Sequence, residues 1–169
     1  MKPINNQGMF LEEILNITHN KYEQQEICSV SKIPTNIGVV KTNHNKLINS
    51  ALFKESSNCD YIGNFIGRYF EFEAKETYQD FFNWQGIRKN QIKKLNHILA
   101  TNGLAFLIIY FGQFDKYFLI DFALLQFRVN NFGQKVYFQW FEKNAHELFL
   151  THELKLDYLQ CFNSLTNWI

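Results

Sequence analysis

Proline occurs only at Pro3 and Pro34 in 169 residues, and glycine eight times, so the chain has no proline-rich or glycine-rich linker to divide it. A single domain over residues 1–169 is expected, long enough to bury a real core. Cysteine is as scarce. Cys28, Cys59 and Cys161 are odd in number and form no C-x-x-C pair, which excludes a disulfide framework and points to reduced thiols in cytoplasm. Neither sign of charge predominates: 17 Lys and Arg face 16 Asp and Glu, a net of +1, so a polyanionic partner would have to be met by local clusters. Long apolar runs are missing too. The longest, Leu104 to Phe111, suits a buried strand and not a membrane span, and Met1-Lys2-Pro3-Ile4-Asn5-Asn6 does not read as a secretion leader. His19, His44, His97, His146 and His152 lack H-E-x-x-H spacing, and there is no Walker lysine loop and no G-x-G-x-x-G, so zinc and nucleotide-loop chemistries are not indicated.

Phenylalanine is abundant, at 18 residues, and 46% of the chain is hydrophobic, as in a strand-rich globular protein. Apolar periodicity predicts a helix over Gly8 to Glu26 and a β-like stretch from Ile27 to Lys32, broken by Pro34-Thr35-Asn36. Val39-Val40 would add a short strand. The polar stretch from Lys41 to Ser50 reads as an exposed, helical excursion. A hairpin is expected from Cys59–Ile62 and Arg68–Lys75, with Gly63-Asn64 and Gly67 at the turn. An aromatic loop follows over Tyr78 to Gln85, then a helix from Ile87 to Ala100 stopped by Asn102-Gly103. Strands at Leu104–Phe111 and Tyr117–Asp121, a helix at Phe122–Val129, a β-like segment at Val136–Trp140 and a closing helix at Leu156–Leu165 complete an α/β pattern: a central mixed sheet flanked by helices.

The chemistry concentrates in the run from Phe70 to Thr77. Alternation sends Phe70, Phe72 and Ala74 to one face of a strand, and Glu71, Glu73 and Lys75 to the other. An acid and a lysine two residues apart, with Asp60 from the neighbouring strand, are what a metal-dependent nuclease requires. Carboxylates hold a hard divalent cation such as Mg²⁺, with Mn²⁺ as substitute, and lysine stabilises charge on phosphate. The triplet alone is common and more often marks a solvated strand face. Glu71 reads as a surface acid, Glu76 and Thr77 as shaping the loop that leaves the strand, and at most one of Glu12 and Glu13 can face the site. Gln91 on the following helix is placed to add an amide. Tyr78, Phe81, Phe82 and Trp84 read as packing first and base-stacking groups second.

At these residues the chain resembles the RecU family of Holliday junction resolvases. The likeness runs through Gly8-Met9, Leu11-Glu12-Glu13, Asn20-Lys21-Tyr22 and Pro34-Thr35, and is densest at Asp60-Tyr61-x-Gly63, Gly67-Arg68-Tyr69 and Phe72-Glu73-Ala74-Lys75-Glu76-Thr77, followed by Gln91-Ile92. It implies a restriction-endonuclease-like fold with a protruding arm, here at about residues 37–52, and a homodimeric, metal-dependent crossover junction endodeoxyribonuclease of recombination and DNA repair. It implies that Asp60, Glu73 and Gln91 hold the metal and that Lys75 stabilises the transition state. Asn58 stands where the family has a threonine ligand, and its carbonyl is a competent hard donor. Candidate DNA-binding cations are Arg68, Lys93, Lys94, Lys41, Lys46 and Lys32. The branch-migration motor RuvB and the recombinase RecA are the partners the likeness implies. Asn58 and the near-neutral charge also motivate a second expectation, a branched-DNA-binding accessory protein without strong nuclease activity.

Overall fold

The computed structural model describes residues 9–34, 37–42, 48–53 and 59–168. In chain order the elements are α1 (Met9–Gln24), β1 (Ser29–Lys32), β2 (Ile37–Thr42), β3 (Ile48–Phe53), β4 (Tyr61–Phe65), β5 (Arg68–Thr77), β6 (Phe81–Asn83), α2 (Lys89–Ala100), β7 (Leu104–Phe111), β8 (Lys116–Asp121), α3 (Phe122–Phe132), β9 (Lys135–Tyr137), α4 (Phe138–Asn144) and β10 (His146–Leu148). Short 3₁₀ turns follow β6 and close the chain at Leu159–Ser164.

Among the described residues a six-stranded sheet runs in the order β1-β4-β5-β7-β8-β10. Only β5 and β7 pair in parallel; the other neighbours are antiparallel, so the expected mixed sheet flanked by helices is what forms. Every residue of β7, Leu-Ala-Phe-Leu-Ile-Ile-Tyr-Phe, is buried, as a central strand covered on both faces must be. Its alternation splits the core in two. Phe106, Ile108 and Tyr110 pack with Phe70, Phe72, Tyr158 and Phe162 beneath α1, which contributes Leu11, Ile14, Leu15 and Tyr22 at helical spacing. Leu107, Ile109 and Phe111 pack on the other side with Leu95, Ile98, Phe118 and Phe141 beneath α2, α3 and α4.

The turn between β4 and β5 is built from Ile66 at φ 51° and Gly67 at φ 77°, left-handed geometry that matches the twist of a two-residue hairpin. Gly63 is required for a different reason. A Cβ there would overlap the Phe70 ring and sit 2.7 Å from the Ser29 carbonyl oxygen of the adjacent strand. Because one obstacle is backbone, Gly63→Ala is expected to destabilise by about 3 kcal/mol and lower the melting temperature by roughly 6–12 °C in calorimetry. An unchanged melting temperature would show that β1 can move aside.

Several elements differ from the sequence expectation. The excursion expected as helical contains an antiparallel β-ribbon, β2 with β3, in a sheet of its own. The aromatic loop holds β6, which pairs with β9. The segment Val136–Trp140 leaves β9 and becomes α4 at Phe138, and the closing helix is a 3₁₀ turn. Around β6, α4 and the closing turn, the aromatic residues promote burial without dictating a period. Cys28, Cys59 and Cys161 are free and buried. Among the described residues no helix is long and apolar enough to cross a membrane.

Candidate metal centre

The β4–β5 hairpin and α2 bring four of the expected groups together. Asp60 precedes β4 and its Oδ2 accepts from the Ala74 N–H at 3.1 Å, while the Asp60 N–H donates to Glu73 Oε1 at 3.2 Å. These reciprocal bonds lock the aspartate loop to β5. From the crossover helix, Gln91 Nε2 donates to the same Glu73 oxygen at 2.6 Å. Its own Oε1 accepts from the Arg88 N–H at 3.0 Å, reaching back to satisfy a backbone donor at the start of α2. Gln91 thus presents its nitrogen to the site, and its oxygen caps the helix. Lys75 Nζ stands 3.0 Å from Glu73 Oε2, an ion pair outside hydrogen-bond geometry, and among the described residues that buried oxygen has no hydrogen-bond partner.

Glu73 is wholly buried. Burial pushes its carboxyl group up to about 8; Lys75 opposes the shift and Asp60 adds to it. A buried carboxylate fixed on one oxygen and facing only a lysine ammonium on the other has the chemistry of a cation ligand. The donor set, two carboxylates supported by an amide, fits a hard divalent cation that retains waters. Among the described residues no group of three or more His, Cys, Asp or Glu side chains is arranged to hold a metal ion, so any ion would rest on fewer protein ligands.

Glu71 corrects the sequence reading. It was expected as a surface acid, yet it is 1% exposed, because α2 lies over this face of β5. Its Oε1 accepts from the Tyr69 hydroxyl and pairs with Lys94 Nζ at 3.1 Å. The cue available beforehand was the amphipathic α2, whose buried Gln91, Leu95 and Ile98 need a surface to cover. Glu76 and Thr77 still belong to β5, and Glu76 Oε1 accepts from the Leu11 N–H at 2.6 Å, tying α1 to the strand. Glu12 borders a cavity of about 210 Å³ that reaches Asp60, whereas Glu13 is exposed elsewhere on α1. The Cys59 thiol, buried and surrounded by Glu73, Glu71 and Asp60, is held protonated far above its ordinary range.

The remaining candidates are dispersed. Lys93 and Lys94 lie on α2 beside the site, and Lys32 is paired with Glu12. Arg68 opens β5 at the hairpin end, roughly 17 Å along the strand from Glu73 at ~3.3 Å per residue. Lys41 falls in β2, of which only the backbone is described, and Asn58 and Lys46 lie outside the described residues. Phe82 and Trp84 are buried packing groups, while Tyr78 is half exposed.

Residues 6–164 match the family described as RecU, recombination protein U. The Holliday junction resolvase RecU of Bacillus mycoides (strain KBAB4) is 34% identical over 169 residues, covering 95% of this chain and 84% of the relative. The protein of the same name from Bacillus cereus (strain B4264) is 40% identical over 121 residues, covering 69% of this chain and 60% of the relative. Among solved structures, Archaeoglobus fulgidus Hjc, a Holliday junction resolvase, aligns with a TM-score of 0.47 at 9% identity, over 82% of this chain and 90% of its own.

Proposed function

This chain belongs to the RecU family, and on that premise we propose that it is a Holliday junction resolvase: a Mg²⁺-dependent endonuclease that nicks four-way DNA junctions symmetrically in recombination and repair. The observation that carries the mechanism is the buried Glu73 carboxylate, oriented by Asp60 and Gln91 through one oxygen and ion-paired with Lys75 through the other. Asp60 and Glu73 are the groups that would hold the ion, with Mn²⁺ as a substitute. The Gln91 amide fixes the rotamer of Glu73. When bound, the cation supplies Lewis acidity toward a phosphate oxygen and makes a water more acidic.

The chain's own residues do the rest. Lys75, still partly exposed beside a wholly buried acid, can be reached from solvent. Its ammonium orients the attacking water and stabilises charge gathering on the phosphate oxygens. Lys93 and Lys94 carry the substrate strand past this point, so binding weakens as salt rises. The products of a symmetric cut require two equal sites, which a two-fold homodimer supplies. Base contacts are secondary to junction shape in this reading, with β2 and β3 as the arm. RuvB and RecA follow as partners from the family likeness, and the cytoplasm as the place of action.

The test is cleavage of a mobile four-way junction, with a linear duplex of the same sequence as control, in Mg²⁺ or Mn²⁺. Paired nicks at symmetric positions in the junction, and an intact duplex, are expected. Tight junction binding without cleavage in either ion would replace the nuclease by a branched-DNA-binding accessory protein.

A further inference from the structure

We infer that Glu71 is a positioning residue of this site. It pins the Lys94 ammonium where a second phosphate of the cut strand lands, beside the phosphate handled at Glu73 and Lys75. The inference rests on the function proposed above.

Glu71 is 1% exposed, and one of its oxygens, Oε2, has no hydrogen-bond partner among the described residues. An acid buried so incompletely satisfied is not the choice stability alone would make. An apolar side chain of similar volume serves a core as well or better. What the acid does accomplish is geometric. Its Oε1 takes the Tyr69 hydroxyl on one side and Lys94 Nζ, at 3.1 Å, on the other. A lysine side chain is otherwise free to swing through many rotamers, and a pinned one binds phosphate without losing that freedom again. Lys94 is 30% exposed and carries three N–H donors, so contact with Glu71 leaves donors for a ligand.

The placement matches the substrate. Glu71 and Glu73 alternate with Phe72, so they share a face of β5 ~7 Å apart, close to the interval between neighbouring phosphates on a strand. Gln91 and Lys94 are one turn apart on α2 and meet Glu73 and Glu71 respectively. The same turn therefore orients the cation ligand and the phosphate donor. Outward from Lys94, the residues Asn90, Lys93 and His97 line an open groove of about 330 Å³ along α2. Glu71 neutralises Lys94, so the attraction for DNA comes from Lys93 and other cations, and Lys94 contributes placement.

That division gives opposite signs for charge and position. If only charge matters, Glu71→Gln removes an acid near DNA and either improves the enzyme or leaves it unchanged. If Glu71 positions Lys94, the variant binds the junction at least as tightly as wild type but nicks the bound junction about tenfold more slowly. Single-turnover nicking in Mg²⁺ with protein in excess separates the two. Lys94→Gln should show a similar loss. The double variant Glu71→Gln/Lys94→Gln should be no slower than the slower single, because both remove one interaction. If a single variant fails to fold, the double, which buries no unpaired charge, must still show the tenfold loss. Wild-type nicking of the bound junction by Glu71→Gln, multiplying penalties in the double, or a double variant as fast as wild type would overturn the role of Glu71 alone. A wild-type protein that cuts no junction in Mg²⁺ or Mn²⁺ overturns the proposed function and this role with it.

Discussion

Lys75→Ala is expected to slow junction nicking by about a hundredfold to a thousandfold, the usual cost of removing one preorganised donor to a developing anion. The fold should survive, because Lys75 is partly exposed and, among the described residues, its ion pair is with Glu73 alone, at 3.0 Å. Junction binding should change little, since one cation among several accounts for a small part of the electrostatic attraction. Nicking of a labelled junction in Mg²⁺, compared with binding in its absence, separates the two quantities. Lys75→Arg should recover only part of the rate, because a planar guanidinium does not replace a compact ammonium at a tight site. A Lys75→Ala enzyme that cuts at the wild-type rate would remove Lys75 from the mechanism.

Glu73→Gln should abolish metal-dependent cleavage and at the same time stabilise the metal-free protein at alkaline pH. The carboxyl group sits at about 8 in the folded chain, against 4.5 in its ordinary state. Its folded value is therefore raised, so the stability it contributes is fully present below pH ~4.5 and is lost as pH rises toward and through about 8. Above that, wild type carries a buried carboxylate relieved mainly by Lys75, and the glutamine variant does not. A difference of up to roughly 5 kcal/mol, or about 10–20 °C in melting temperature, is expected at pH 9 and should vanish near pH 4. Adding Mg²⁺ at pH 9 should restore wild type and leave Glu73→Gln unmoved. Equal melting temperatures across the pH range would mean that water reaches the carboxylate freely.

The order of strands and helices around the site was legible because its signals are local. Leu104–Phe111 is apolar throughout, Gly67 marks the hairpin, and Asn102-Gly103 ends α2. Asp60, Glu73, Lys75 and Gln91 could be brought together from spacing plus one family likeness. Glu71 could not, because alternation assigns a residue to a face without saying whether a later helix covers that face. Arg68 illustrates the same limit in another form. It is close to Glu73 in sequence, but an extended strand turns five residues into most of the depth of a small domain. The β9 and α4 region failed for a third reason: Phe138, Trp140 and Phe141 satisfy strand and helix patterns equally, and only the pairing of β6 with β9 settles where one ends.

The parallel pairing of β5 with β7 has a consequence for the timing of synthesis. Asp60, Glu73 and Lys75 leave the ribosome together on one hairpin, but Gln91 is seated only when α2 has β7 to lie against. A parallel pair closes through a long crossover, so this step is not local. A nascent chain ending after α2 contains each of these four groups and cannot yet hold Glu73 from both sides. A DNA-cutting enzyme built this way stays blunt until its central strand is in place.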